Sequence, residues 1–322
     1  MTLVRSVVLP YWLDRPALEA VEIARNADSL GYGTLWIGEM MTFDAFALAA
    51  AIVRETASLR VTVGPLAIGV RTPASMALGV ASVATLGGRR ADLALGASTP
   101  LVVGGWHGRP FALPVARMRE AVAVLRQMLA GERSAFDGRL ESSHGFRIAG
   151  DAPRSTITVA AFGPAMLRLA ARVADRVVVN LVTPRQVERT REAVDRAARE
   201  AGRPAPPLAA WIPACLDPDA AAWQQVARQL VVYVGAPGYG EMFVEAGFGE
   251  AVALARSGAH PRDVAAALPR ELGEAVGAFG GAAAVDARLE EYAKAGADEV
   301  GIVPVTAADA GGRRLLESLR AG

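Results

Sequence analysis

Short apolar runs alternate along this chain with longer segments in which apolar positions recur every third or fourth residue. The short runs predict strands over residues 4–9, 34–37, 60–68, 91–95, 157–160, 176–180, 208–216 and 300–304. Between them lie predicted helices with recognisable ends. Leu18, Val21, Ala24 and Ala27 keep helical spacing after Pro16, and Gly31 follows as a stop. Pro73 suits a first helical turn, where a missing N–H costs nothing, and Gly87-Gly88 ends that helix. Helices follow over residues 45–56, 115–129 and 284–295, from Gly163-Pro164 through Val173, and from Pro184 with Thr183 as N-cap.

Strands that alternate with helices imply an α/β protein with a parallel sheet. Eight of them favour a closed TIM (β/α)8 barrel over an open doubly wound sheet. The competing arrangement is a two-domain α/β protein split near Pro204, but too few strands follow that residue for a second sheet. We expect one domain over residues 1–322 with two additions. Residues 136–149 carry Asp137-Gly138, a hairpin signal, after the fourth helix. Residues 217–281 show no strand pattern and read as a helical insertion before the last strand.

Composition narrows the partners. The 34 basic and 33 acidic residues balance and form no basic stripe, which argues against nucleic acid. Cys215 is the sole cysteine, so no internal disulfide or cysteine metal cluster can form. The first residues lack the apolar core of a signal peptide, and no apolar run is long enough to cross a bilayer. A soluble cytoplasmic protein is expected, with no membrane or metal site.

In a barrel the ligand lies at the C-terminal ends of the strands. That rule selects Glu39 and Met40, residues 64–69, Ser98, Thr99, Trp106 and His107, Phe162 and Gly163, and Asn180. Gly163-Pro164-Ala165-Met166 opens a helix whose backbone N–H groups could seat a phosphate, or form an ordinary turn. Glu39 is either an acid or hydrogen-bond acceptor, or a salt-bridged carboxylate at a strand end. Ser98 and Thr99 contact a cofactor edge or cap the next turn. Trp106 stacks on a ring or fills core, and His107 is the best acid–base candidate by residue type. No nucleophile elbow, Walker loop or His pair is present, so chemistry would need a borrowed cofactor.

Gly64-Pro65 interrupts the third strand. A proline lacks a ladder donor, so either a cis bulge accommodates it or the strand ends early at a trans bond. Most X–Pro bonds are trans, and the residues alone favour the second.

Four segments together resemble the luciferase-like flavin and deazaflavin oxidoreductases. They are ARNADSLGYGTLWIGE, VTVGPLAIGVRTPASMALGVASVATLGGRRADLALGAS, FGPAMLRLAARVADRVVVNLVTP and VDARLEEYAKAGADEVGIVP, in that order and at the family's spacing. Within the family, GASTPLVVGGWHGRPF is similar to the group that uses coenzyme F420 instead of FMN. The resemblance implies a TIM-type barrel, often a homodimer, and a cis peptide backing the ring at the end of the third strand. It thereby reverses the reading of Gly64-Pro65 to cis, with Leu66 beside it. Glu39 falls beside the ring, Ser98, Thr99, Phe162 and Asn180 on its flanks, and Gly163 to Met166 at the phosphate. Many members carry histidine where this chain has Met40, which leaves proton transfer to His107 or Glu39, and Gly69 stands where many have proline.

The implied function is hydride transfer between F420 and a small organic substrate. Met40, Trp106, Tyr233, Tyr239 and Met242 would form the substrate wall. The alternatives are an FMN-dependent monooxygenase and a catalytically silent flavin-binding protein.

Overall fold

The computed structural model describes residues 3–320 apart from residue 40. Eight parallel strands carry the fold: β1 (Val4–Val8), β2 (Thr34–Ile37), β3 (Arg60–Ala67), β4 (Ala91–Gly96), β7 (Ile157–Ala160), β8 (Arg176–Asn180), β9 (Leu208–Leu216) and β11 (Glu299–Pro304). Their hydrogen-bonded order is β9-β11-β1-β2-β3-β4-β7-β8, and β9 also pairs with β8. That is the order of a TIM barrel, and it contains all eight strands expected from the apolar runs. Each strand is apolar nearly throughout because both of its faces are covered; Leu35, Trp36 and Ile37 of β2 are wholly buried.

Between β4 and β7, β5 (Ala135–Asp137) and β6 (Ser142–His144) form an antiparallel hairpin. The long segment after β9 is helical, as its lack of alternation indicates: α7 (Ala220–Val234), α8 (Tyr239–Glu245), α9 (Gly249–Arg256), α10 (Pro261–Ala267) and α11 (Arg270–Val276). One detail corrects the expectation. The segment ends in a strand, β10 (Ala278–Gly280), which pairs in parallel with Ala214–Leu216 of β9. Three residues are too few to display an alternation, so the pattern could not reveal it.

The chain divides into two compact units. The first comprises residues 1–32, 179–192 and 208–322, and the second residues 33–178 and 193–207. In the first, two buried polar side chains tie the helices to the end of β11. Gln225 of α7 accepts from the amides of Thr306 (2.8 Å) and Ala307 (3.1 Å) just past β11. Glu19, buried in α1 (Glu19–Ser29), accepts from the Thr306 hydroxyl at 2.9 Å and from Arg15.

In the second unit, α2 (Ala45–Glu55), α3 (Pro73–Gly87), α4 (Pro114–Leu129) and α5 (Gly163–Val173) follow β2, β3, the loop after β4, and β7. Arg89, just before β4, donates to the carbonyls of Leu59 and Thr56, a fastening role at the end of the strands away from the candidate site. Arg176 opens β8. Its guanidinium lies 4.1 Å from the centroid of the Trp36 ring and reaches the hydroxyls of Thr62 (3.1 Å) and Thr158 (3.2 Å). A cation on an indole face with hydroxyl acceptors is a satisfied polar core.

Candidate active site

In the second unit the C-terminal ends of β2, β3, β4 and β7 gather the candidates. The Gly64-Pro65 peptide is cis. The β3–β4 register shifts between Val63 and Leu66, so the strand bulges there instead of ending. Gly64 has φ +124°, and a Cβ on it would lie 2.1 Å from the Ala94 carbonyl oxygen. Only glycine fits a backbone approach that close. Leu66, immediately after, is wholly buried, and Gly96 closes against Pro65 from β4.

β4 leads into a loop in which Ser98 has φ 63°. The Thr99 hydroxyl accepts from the Val102 amide at 3.3 Å, so Thr99 caps the segment that follows. That segment is a π-helical turn, Leu101–Trp106, where a plain loop is expected from the sequence. Val103 buries itself against Gly69, while Leu101, Trp106, Phe111 and Leu113 stay exposed. His107 ends the turn and is also exposed.

α5 begins at Gly163 (φ 74°) after Phe162, and no side chain caps its first turn. Gly163, Pro164 and Ala165 are exposed and Met166 is buried. A helix start has N–H groups without intrahelical partners and the positive end of the helix dipole. This one therefore offers amides of Gly163, Ala165 and Met166 to an anion.

Glu39 stands two residues past β2, at the start of the loop to α2, and is bound from two sides. Arg71 Nε donates to it at 2.9 Å and Arg71 Nη2 bonds its other oxygen, which also accepts from the Ala45 amide at 3.3 Å. Arg71 Nη2 also bonds Asp44, whose carboxylate caps α2 through the Phe46 and Ala47 amides. The hydrogen bond that Arg71 donates to Glu39 leads the effects that hold Arg71 above its ordinary pKa, against the cost of burial. Burial raises the Asp44 carboxyl, but the Ala47 amide and Arg71 outweigh it and leave it below its ordinary value. The salt-bridged reading of Glu39 is the one found. Arg71 and Asp44 were not among the sequence candidates. Asp44 had a signal, an N-cap residue before an apolar helix; Arg71 had none, because only the fold brings it to Glu39.

The first unit holds a second group. Asn180 Nδ2 at the end of β8 donates to the Tyr239 hydroxyl at 3.3 Å, and Tyr239 packs on Tyr233 with ring centroids 4.8 Å apart. Burial pushes both phenols above their ordinary pKa. Gln186, which forms a reciprocal cap with Thr183 at the start of α6 (Pro184–Glu200), donates to the Met242 carbonyl at 2.7 Å. Asn180, Tyr233, Tyr239 and Met242 thus belong to one neighbourhood. Met40 lies outside the described residues. Among the described residues, no group of three or more His, Cys, Asp or Glu side chains is placed to hold a metal ion. No described helix is long and apolar enough to cross a membrane.

A family model for luciferase-like monooxygenases matches residues 10–299. The chain belongs to this family. Among luciferase-like relatives, it is 28% identical over 222 residues to a 5,10-methylenetetrahydromethanopterin reductase of Methanolobus tindarius, covering 68% of each chain. Its fold matches that of the coenzyme F420-dependent tetrahydromethanopterin reductase of Methanopyrus kandleri, with a TM-score of 0.82, 19% identity and 100% and 99% of the two chains covered. It also matches a type II Baeyer–Villiger monooxygenase of Pseudomonas putida solved with FMN, with a TM-score of 0.71, 19% identity and 99% and 97% covered. The luciferase-like chain is an enzyme of this fold.

Proposed function

We propose that this luciferase-like enzyme transfers hydride between coenzyme F420 and a small organic substrate. The observation that carries the reading is the pairing, within one unit, of an uncapped, exposed helix start at Gly163 with the bulge of β3 at Gly64 to Leu66. The first suits an anionic tail, and the second, with Pro65 partly exposed between buried Gly64 and Leu66, would back a planar ring. The residues therefore fit the coenzyme. The fold match to the Methanopyrus F420-dependent reductase, at a higher TM-score than the FMN-bound Pseudomonas structure, supports F420 over FMN.

Each residue has a defined task. Amides of Gly163, Ala165 and Met166 would hold the phosphate, with Phe162 and Pro164 fixing the turn. Gly64, Pro65 and Leu66 would back the ring, and Ser98 and Thr99 would flank it. When bound, the coenzyme supplies a two-electron hydride carrier. Glu39, held by Arg71, would serve as a hydrogen-bond acceptor. His107 would then handle the proton. Trp106 would lie on the substrate. FMN with oxygen is the second reading, favoured by the Pseudomonas structure.

Anaerobic mixing of the enzyme and reduced F420 with a panel of ketones, enones and imines tests the proposal. Oxidation of the coenzyme by at least one class is expected, falling at least about tenfold in His107→Asn if that residue moves the proton. Turnover only with FMN and oxygen would replace it with the second reading.

A further inference from the structure

We infer that Arg71 is the positioning residue for Glu39, holding its carboxylate in the one orientation that meets the coenzyme ring. The inference rests on the proposed seat of the ring and deepens it.

Three observations converge on Arg71. Its guanidinium engages Glu39 through both Nε and Nη2, a forked contact that fixes the plane of a carboxylate as well as its position. The same Nη2 reaches Asp44, which is itself fixed by two amides at the start of α2. The Arg71 guanidinium also lies 5.2 Å from the centroid of the Phe46 ring. Phe46 in turn packs on Gly79 of α3, where a Cβ would lie 2.6 Å from the ring. Arg71 is thus braced by the start of α2 and by the packing of α2 on α3, and it transmits that order to Glu39.

The backbone prepares Arg71 for this task. Its amide closes the turn after β3 on the Ala67 carbonyl at 3.0 Å, and the next residue, Thr72, caps α3. Both side chains keep about a fifth of their surface exposed, 20% for Arg71 and 21% for Glu39. Glu39 is therefore ordered and still accessible. A carboxylate already ordered before the ligand arrives avoids the entropy cost of ordering during binding. Lysine cannot replace this arrangement, because a single ammonium offers no planar fork for two carboxylates.

The test uses the full chain and direct binding of F420, read from the visible spectrum of the coenzyme, together with melting of the apoprotein. Arg71→Met should weaken binding about tenfold, the order of one charge-assisted hydrogen bond, and shift the visible band of the bound coenzyme. Arg71→Lys should fall between Arg71→Met and wild type. The double variant Arg71→Met/Glu39→Gln should bind no more weakly than Glu39→Gln alone, since Arg71 acts through Glu39. Wild-type affinity and spectrum in Arg71→Met, or losses that multiply independently in the double variant, would overturn the inference. So would an Arg71→Met effect confined to the melting temperature. If the wild type binds FMN and not F420, the coenzyme reading fails and the same series with FMN decides the role of Arg71. Binding of neither coenzyme would overturn both.

Discussion

Gly64 shows how a single missing carbon shapes the candidate site. A Cβ there would overlap the Ala94 carbonyl, and φ +124° is costly for any other residue. Gly163 also has a positive φ, but nothing lies within 4 Å of its missing Cβ. Gly64→Ala should therefore cost about 3 kcal/mol of stability, by overlap and backbone strain together, and Gly163→Ala about 1 kcal/mol, by strain alone. Urea unfolding of the apoproteins measures both. Equal losses would show that the overlap at Gly64 is relieved by movement of β4. The glycine was visible in the sequence, and so was its proline neighbour. The Ala94 carbonyl that makes glycine necessary was not, because it belongs to another strand.

Elements were legible where local pattern and packing agree. The ranges of β7, β8, β9 and α5 follow directly from apolar runs and, for α5, from its Gly-Pro start. The π-helical turn after β4 and the three residues of β10 were not legible. The first depends on Val103 finding Gly69, and the second on the last residues of β9, Ala214–Leu216.

The hairpin of β5 and β6 shows a further element-scale dependence. It is anchored by Glu120 of α4, which accepts from the amides of Leu140 (2.7 Å) and Glu141 (3.0 Å). Burial raises the Glu120 carboxyl, but the amides of Leu140, Glu141 and Arg139 outweigh it and hold it below its ordinary pKa. A carboxyl whose folded pKa is depressed contributes stability above its unfolded pKa and loses it as pH falls through the folded one. The hairpin should thus stay anchored at neutral pH and loosen only below the ordinary carboxylate range. Glu120→Ala should loosen it at every pH. Hydrogen exchange of the Leu140 and Glu141 amides reports this; unchanged protection in Glu120→Ala would refute it.

At the scale of the whole molecule, eight apolar strands separated by helices sufficed to indicate the barrel, because a parallel strand buried on both faces has a distinctive composition. The ligand ends of the strands then selected most of the candidate site. Arg71 escaped because its partners, Glu39 and Asp44, are distant in sequence and meet it only across neighbouring β–α loops. Such cross-loop contacts carry no periodicity. The absence of nucleophile and metal motifs pointed only to a borrowed cofactor; the redox reading came from the resemblance to luciferase-like enzymes, the family that the chain matches.

The most direct test of the central claim is equilibrium titration of the purified apoprotein with oxidised F420 and, separately, with FMN. The account predicts saturable binding of F420 at one site per chain and at least tenfold weaker binding of FMN, about 1.4 kcal/mol of discrimination. Tighter binding of FMN than of F420 would contradict it.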